Sequence, residues 1–264
     1  MFRLKHPSAQ PVTYRLAGSV EIRMFPEGEI AGLLAFPRLF EFTELRLVAA
    51  HLSAGMKVFD IGANIGLYSI LAQALVGCSG QIWAFEPSAS TYQKLLRNLE
   101  LNKCASVHPV QLALSDEPET RRSLRADTGY GDMYRYLASG PAGALNAADE
   151  LVHVTTLDEH AKKAGLPGPD FVKVDVEGGE YRVFLGARQV LSRNPNVVVM
   201  FESEPDWCER AGCRPQDAFG VLRDLGFGLY TWNSRARTWE SLDRKVQKSR
   251  TIWASRDRNM LPAI

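Results

Sequence analysis

The sequence predicts an α/β fold built on a doubly wound, mostly parallel sheet, and three observations carry that prediction. From Lys57 onward, short apolar runs alternate with stretches of helical period, as βαβ units do. Three of those runs, KVFDIG, QIWAFEP and FVKVDVEGG, end in an acid just ahead of a turn. A further run, NVVVMFESEP, is so rich in β-branched residues that it reads as buried on both faces, as in a parallel sheet. A chain of 264 residues is long enough to bury such a core.

The elements follow in order. Residues 1–45 read as an N-terminal extension or cap: VEIRMF alternates like a strand, PEGE is a turn, and FEFTELRLVAAHL is a helix leading into residues 46–264, the main domain. MKVFDIG and QIWAFEP are the first two strands of that domain. STYQKLLRNLELN, Ser90 to Asn102, is a helix with Leu95, Leu96 and Leu99 on one side and Ser90 as its N-cap. VHPVQLALSD is the third strand, its Pro109 placing any pairing near the strand start. Residues 117–149 are polar, rich in Gly, Ala, Arg and Tyr, and long for a βα connection, so they read as a lid or acceptor-binding insertion. FVKVDVEGG is the fourth strand. The helix Glu180 to Leu191 puts Val183, Phe184, Ala187, Val190 and Leu191 on one face. NVVVMFESEP is the fifth strand, QDAFGVLRDLGFGLYTWN reads helix, Gly226 stop, strand, and TWESLD and TIWASRD are antiparallel strands at the sheet edge.

Composition narrows the function. Hydrophobic content of 45% with 23% charged residues is ordinary for a globular chain. A net charge of +1 gives no global attraction to nucleic acid or to an acidic membrane. The basic run RARTWESLDRKVQKSR is interrupted by Glu240 and Asp243 and reads as a solvated edge. Cys78, Cys104, Cys208 and Cys213 fit no disulfide or zinc pattern, so free thiols in a reducing compartment are expected. No secretory or membrane-spanning run is present, which predicts a soluble, cytoplasmic protein with no membrane partner. A homo-oligomer is compatible with the composition.

Chemistry concentrates in VFDIGANIGLYSIL. A dinucleotide turn reads G-x-G-x-x-G, whereas this one reads D-x-G-x-x-x-G through Asp60, Gly62 and Gly66. Glycines that merely tighten the turn are the plain alternative. A carboxylate at Asp60 would repel a pyrophosphate at the helix N-terminus. It would attract S-adenosylmethionine, which carries a sulfonium and an ammonium and no phosphate. Glu86 lies 20 residues beyond Gly66, near where an acid accepts both ribose hydroxyls, and Ser115 and Asp116 close the third strand beside the adenine position. Three acids at three strand ends favour adenosylmethionine over NAD.

Five ordered blocks then carry a family likeness: FEFTELRLVAAHLSAGMKVFDIGANIGLYSI, IWAFEPSASTYQKLLRNLELN, LALSD, TTLDEH and VKVDVEGGEYRVFLGARQVL. Together, from about Phe40 to Glu202, they resemble the FkbM family of S-adenosylmethionine-dependent methyltransferases. The resemblance implies a Rossmann-like class I methyltransferase with a seven-stranded sheet whose last strand is antiparallel. It also implies methyl transfer mainly to hydroxyls of sugars, polyketides and other secondary metabolites, so the expected partner is a small-molecule hydroxyl acceptor. By position, Asp60, Gly62 and Asn64 match the family's cofactor turn, with Ala63 and Gly66 in the same loop. Glu86 matches its ribose acid, Asp116 its adenine neighbour, and Asp175, Glu177 and Glu180 its D-x-E-G-x-E block. Gly179 departs from the alanine frequent in the family. The 117–149 insertion and the chain after Glu202 fall outside the likeness, so the acceptor stays open.

An alcohol acceptor needs its proton removed or its oxygen polarised. As alternate residues of a strand, Asp175 and Glu177 would point to one side and form a base, with Asp175 also beside the cofactor. A second reading adds Glu202 and makes the three acids a site for a divalent metal such as Mg²⁺. In a third, these acids only order the loop and the next helix. His108 and His153 are further candidate bases, each equally readable as a core or solvated histidine. The tyrosines of GYGDMYRY, Gly129 to Tyr136, could close over an acceptor or pin the insertion to the body. Competing readings of the whole chain are a methyltransferase acting on RNA or protein, an NAD-dependent oxidoreductase, and a non-catalytic binding module of the same fold.

Overall fold

In the computed structural model, residues 11–15, 21–24, 42–126, 135–138, 149–242 and 250–264 are described. Strands β1 (Val12–Arg15) and β2 (Glu21–Met24) pair antiparallel, and helix α1 (Phe42–His51) buries Leu45, Leu47 and Val48. The doubly wound part begins with β3 (Lys57–Ile61), α2 (Leu67–Val76), β4 (Gln81–Phe85), α3 (Ala89–Leu101) and β5 (Val107–Val110). The chain then builds β6 (Ala113–Leu114), β7 (Thr120–Ala126), β8 (Arg135–Leu137) and β9 (Glu150–Thr155) before α4 (Leu157–Ala164) and β10 (Phe171–Val174). It finishes with α5 (Glu180–Leu185), α6 (Arg188–Ser192), β11 (Val198–Ser203), α7 (Pro205–Arg210), α8 (Pro215–Asp224), β12 (Gly228–Asn233), β13 (Thr238–Ser241) and β14 (Arg250–Ser255).

Among the described residues the main sheet has eight strands in the order β13-β12-β14-β11-β10-β3-β4-β5. β11, β10, β3, β4 and β5 run parallel, while β14 is antiparallel to both β11 and β12. The sheet is therefore mixed, and its strand count corrects the expectation of seven. The added strand is β13, a hairpin partner of β12 held by Trp239, which packs edge-on to Trp232 at 5.2 Å. TWESLD does lie at the edge, but TIWASRD does not: β14 sits inside the sheet with Ile252, Trp253 and Ala254 buried. Successive units run from β3 out to β5 and then return on the other side from β10. The order thus reverses between β3 and β10, the place where open α/β sheets bind ligands.

Three local boundaries differ from the sequence reading. The third strand splits, because β5 ends the main sheet and β6 joins β9, β7 and β8 in a separate four-stranded sheet. The α3 N-cap is Ser88, whose hydroxyl accepts from the Thr91 amide, and not Ser90. The helix after the fourth strand breaks into α5 and α6 at Gly186, where a side chain would lie 2.1 Å from the Ser115 carbonyl oxygen. Its predicted apolar face is buried throughout. Among the described residues no helix is long and apolar enough to cross a membrane. The unmatched parts of the N-terminal, tyrosine-rich and C-terminal basic segments lie outside the described residues.

Candidate active site

β3 feeds a turn whose backbone is set by three left-handed residues: Gly62 at φ +77°, Asn64 at φ +50° and Gly66 at φ +95°. A β-carbon on Gly62 would fall 1.8 Å from the Asp175 carbonyl oxygen, so only glycine lets this turn meet the loop after β10. The turn's amides are already occupied. Gly62 and Ala63 N–H both donate to the Phe85 carbonyl, Asn64 N–H donates to Glu86 Oε2 at 3.0 Å, Ile65 N–H to Asn64 Oδ1, and Gly66 N–H to the Ala63 carbonyl. A phosphate-binding turn works by aiming such amides at the ligand. These five already have acceptors within the protein.

Glu86 follows β4 and is 7% exposed. Its other oxygen accepts from Ser88 N–H at 2.9 Å. Burial pushes its pKa up to about 7 against the pull of those two amides and of Arg135. Arg135 comes from β8 and pairs with Glu150 at 2.8 Å, and Glu150 in turn accepts from Ser88 Oγ and Ala89 N–H. Glu150, held by Arg135 within the second sheet, thus ties that sheet by two hydrogen bonds to the start of α3 beside Glu86.

Asp60 stands behind the cavity wall, 1% exposed. One oxygen accepts from Ser69 Oγ at 2.6 Å, and the other lies 3.7 Å from Lys173 Nζ. Burial raises its pKa, with Lys173 opposing. Lys173, opposite Asp60 in the β3–β10 register, does line the cavity; it also reaches Asp175 Oδ2 at 3.1 Å and donates to the Gly62 carbonyl at 3.3 Å. A buried lysine needs such company, since an unpaired ammonium there would be costly.

β10 stops at Val174, so Asp175 and Glu177 are loop residues and the period-two argument for their direction fails. They converge for another reason: Glu177 adopts φ +55° and Gly178 φ +92°, folding the loop back, while Glu180 Oε1 accepts from Val176 and Gly178 N–H. Oxygens of Asp175, Glu177 and Glu202 come within 4.8 Å of one another. Burial first, then Asp175, Glu202 and Glu180, push the Glu177 pKa up to about 10. Three hard oxygens suit Mg²⁺ in number. However, Lys173 already holds Asp175, and its ammonium would repel a dication arriving beside it. The set fits a metal poorly, and no step below uses one.

Residues 60–229 match the Methyltransferase FkbM domain. The chain belongs to the FkbM methyltransferase family. It is 29% identical to methyltransferase sdnD of Sordaria araneosa over 218 positions, covering 71% of this chain and 80% of that one. It is 24% identical to hexuronic acid methyltransferase AglP of Haloferax volcanii over 180 positions, covering 68% of this chain and 66% of that one. Among solved structures, precorrin-6y C5,15-methyltransferase from Geobacter metallireducens aligns at a TM-score of 0.47 and 17% identity, over 82% of this chain and 88% of that one.

In this FkbM methyltransferase one cavity collects Gly62, Ala63, Asn64, Glu86, Ser115, Asp175, Glu177 and Glu202. Gly66 packs against Leu95 behind it, and Asp116 is paired with Arg182 at 3.2 Å and accepts from Ser115 Oγ at 3.0 Å. His108 stacks on Trp83 at 5.3 Å, and His153 is exposed beside Arg121; neither lines the cavity. Sequence reasoning missed Lys173, although a lysine inside FVKV was signal enough: a charge in a doubly buried strand must have a partner. It also missed Arg122, Leu124, Arg135 and Leu137, which the second sheet brings to the cavity together with Tyr136. Their positions depend on pairings across residues 113–155, which carry no local motif.

Proposed function

We propose that this chain transfers a methyl group from S-adenosylmethionine to a hydroxyl of a sugar or secondary metabolite. The carrying observation is the contrast at the cavity: the glycine-turn amides are taken up by acceptors within the protein, while Glu86, Asp175, Glu177 and Glu202 line the space. That arrangement suits a phosphate-free, cationic ligand better than a dinucleotide. The cofactor residues proposed from the sequence fit it, with Asp60 acting through Ser69 and Lys173 and Asp116 through Arg182. A sugar acceptor is supported by the relative named for hexuronic acid.

Bound adenosylmethionine supplies an already activated methyl group, so the chain's work is alignment and proton handling. Glu86, fixed by two amides, is placed to accept ribose hydroxyls. Phe85, Pro87, Leu112 and Leu114 form an apolar slot for a flat base. The Gly62–Asp175 contact holds the donor turn against the acidic loop. Glu177, protonated at neutral pH, donates a hydrogen bond toward the acceptor, and Asp175, steadied by Lys173, takes the hydroxyl proton. We read strands β7 and β8 as the roof of this site, because Arg122, Leu124, Arg135, Tyr136 and Leu137 line it.

Calorimetry with adenosylmethionine, NAD and ATP tests the cofactor. Binding of adenosylmethionine alone is the expected result, weakened at least about tenfold in Glu86→Ala as a hydrogen-bonded charge is lost. Binding of NAD or ATP in its place overturns the proposal. Incubation of the enzyme and adenosylmethionine with uronic acids and neutral glycosides, read by mass spectrometry, then tests the acceptor class.

A further inference from the structure

Cys208 and Cys213 are five residues apart in sequence, and the end of α7 folds them onto each other. The Cys213 amide donates to the Cys208 carbonyl at 2.9 Å and the Gly212 amide to the Glu209 carbonyl at 3.0 Å, with Gly212 at φ +75°. This is the paired hydrogen-bond pattern of a Schellman C-cap, and it packs the third-last helical residue against the second residue past the helix. Both of those positions are cysteine here, and Cys213 Sγ comes within 3.4 Å of the Cys208 carbonyl oxygen.

The same turn supports the catalytic loop. Cys213 Sγ donates to the Gly178 carbonyl at 3.3 Å. A β-carbon on Gly178 would lie 2.3 Å from the Trp207 carbonyl oxygen, so the loop rests directly on the α7 backbone. Ala211, between the two cysteines, lines the cavity. A change at this thiol pair therefore reaches the backbone that carries Glu177.

We propose that Cys208 and Cys213 form a reversible disulfide under peroxide, and that the bond loosens the loop from Val176 to Glu180. Cys213, the less buried thiol, attacks hydrogen peroxide first as its thiolate, giving a sulfenic acid and a hydroxide that the released thiol proton converts to water. The Cys208 thiol then displaces water from that sulfenic acid, so two thiols and one peroxide yield a disulfide and two waters. Sulfur is oxidised and peroxide oxygen is reduced. Interaction between the two cysteines lowers the pKa of Cys213 and raises that of Cys208, which agrees with the order that their burial sets. Once bonded, Cys213 has no proton to give Gly178, and its sulfur is drawn toward Cys208. The effect on turnover rests on the catalytic role of the loop proposed above; the disulfide and the loosening do not.

The test needs no acceptor. Wild-type enzyme and Cys213→Ser are treated with hydrogen peroxide, digested after alkylation, and compared by mass spectrometry and by hydrogen exchange. In the wild type the peptide holding both cysteines should lose two hydrogens in mass and regain them with dithiothreitol, and amides 176–180 should exchange about tenfold faster while oxidised. Cys213→Ser, which keeps a donor for Gly178, should show neither change. The proposal is overturned if exposed Cys78 oxidises while the 208–213 peptide stays reduced. It is equally overturned if the disulfide forms and exchange at 176–180 does not move. If both changes occur and turnover on an identified acceptor is unaffected, the catalytic reading of the loop fails while the disulfide stands.

Discussion

The donor turn at Gly62–Gly66 and the acidic loop at Asp175–Glu180 face each other across one cavity and are built in opposite ways. In the turn every amide from Gly62 to Gly66 has an acceptor, and the pieces come from two adjacent strands. The loop leaves Glu177 Oε2 buried without a hydrogen bond and crowds it with other carboxylates. A site that only holds a ligand can be satisfied in advance. A site that moves a proton keeps a group whose charge is unsettled until the substrate arrives. On the function proposed above, one wall binds the donor and the other handles the proton.

The walls meet at Gly62, so Gly62→Ala should have the largest effect. The new methyl would collide with the Asp175 carbonyl oxygen and sit in a left-handed backbone. Strain and overpacking together should cost about 3 kcal/mol or more. Urea denaturation reads the loss of stability, and calorimetry should find adenosylmethionine binding abolished along with it. If the variant folds and binds normally, the two walls are not coupled through this contact.

Next in size are changes that should separate the walls. Asp175→Asn should reduce turnover about 10²–10⁴-fold, the usual contribution of a positioned base, and Glu177→Ala, which removes a donated hydrogen bond, about tenfold. Adenosylmethionine affinity should stay within a few-fold of wild type in both. Equal losses of affinity and turnover would mean that the acidic loop serves the donor, and the division of labour would collapse.

The two walls also differed in how far the sequence revealed them. The donor wall was legible because its parts are local: a strand, a glycine turn and an acid at the end of the next strand fix each other within 30 residues. Asp60 was expected at the strand end facing the cofactor's cations; it lies behind the cavity wall with Lys173 directly opposite it on β10, and only strand pairing reveals that. Asp175 and Glu177 were named for a wrong reason. The strand ends at Val174, three residues short of Glu177, and left-handed geometry at Glu177 and Gly178, not pleating, brings the acids together. The length and polarity of residues 117–149 suggested a lid or acceptor-binding insertion, but its strands were not legible, because β6 to β9 pair across residues 113–155 through contacts that no local periodicity encodes.

Buried acids on both walls make the empty enzyme sensitive to pH in a direction that can be worked out. Glu86 and Glu180 are each raised from 4.5 to about 7, chiefly by burial. The fold therefore favours their protonated forms. Their contribution to stability is fully present below the unfolded value and is lost as pH rises through the folded one. From about pH 5 to about pH 8 the loss should be on the order of 3 kcal/mol for each group. Urea midpoints without ligand should fall across that range. A flat or rising profile would show that the amide hydrogen bonds to these carboxylates outweigh their burial.

The smallest expected effect tests the roof. Tyr136 lines the cavity from β8, and its ring lies 6.3 Å from that of Trp207 on α7, so the contact closes the space above the acidic loop. Tyr136→Ala removes an aromatic contact worth about 1 kcal/mol, which corresponds to a several-fold change in an equilibrium constant. If the roof belongs to the acceptor wall, that change should appear as a several-fold rise in acceptor KM, with kcat and adenosylmethionine affinity nearly constant. If it belongs to the donor wall, calorimetry will show the weakening in adenosylmethionine binding and acceptor KM will not move. Arg135 argues for the donor side, through Glu150 and the start of α3 beside Glu86. Tyr136, the next residue along β8, faces Trp207 and the loop beneath it. Adjacent residues of one strand point to opposite sides, so a single short strand can serve both walls, and this substitution separates its two faces.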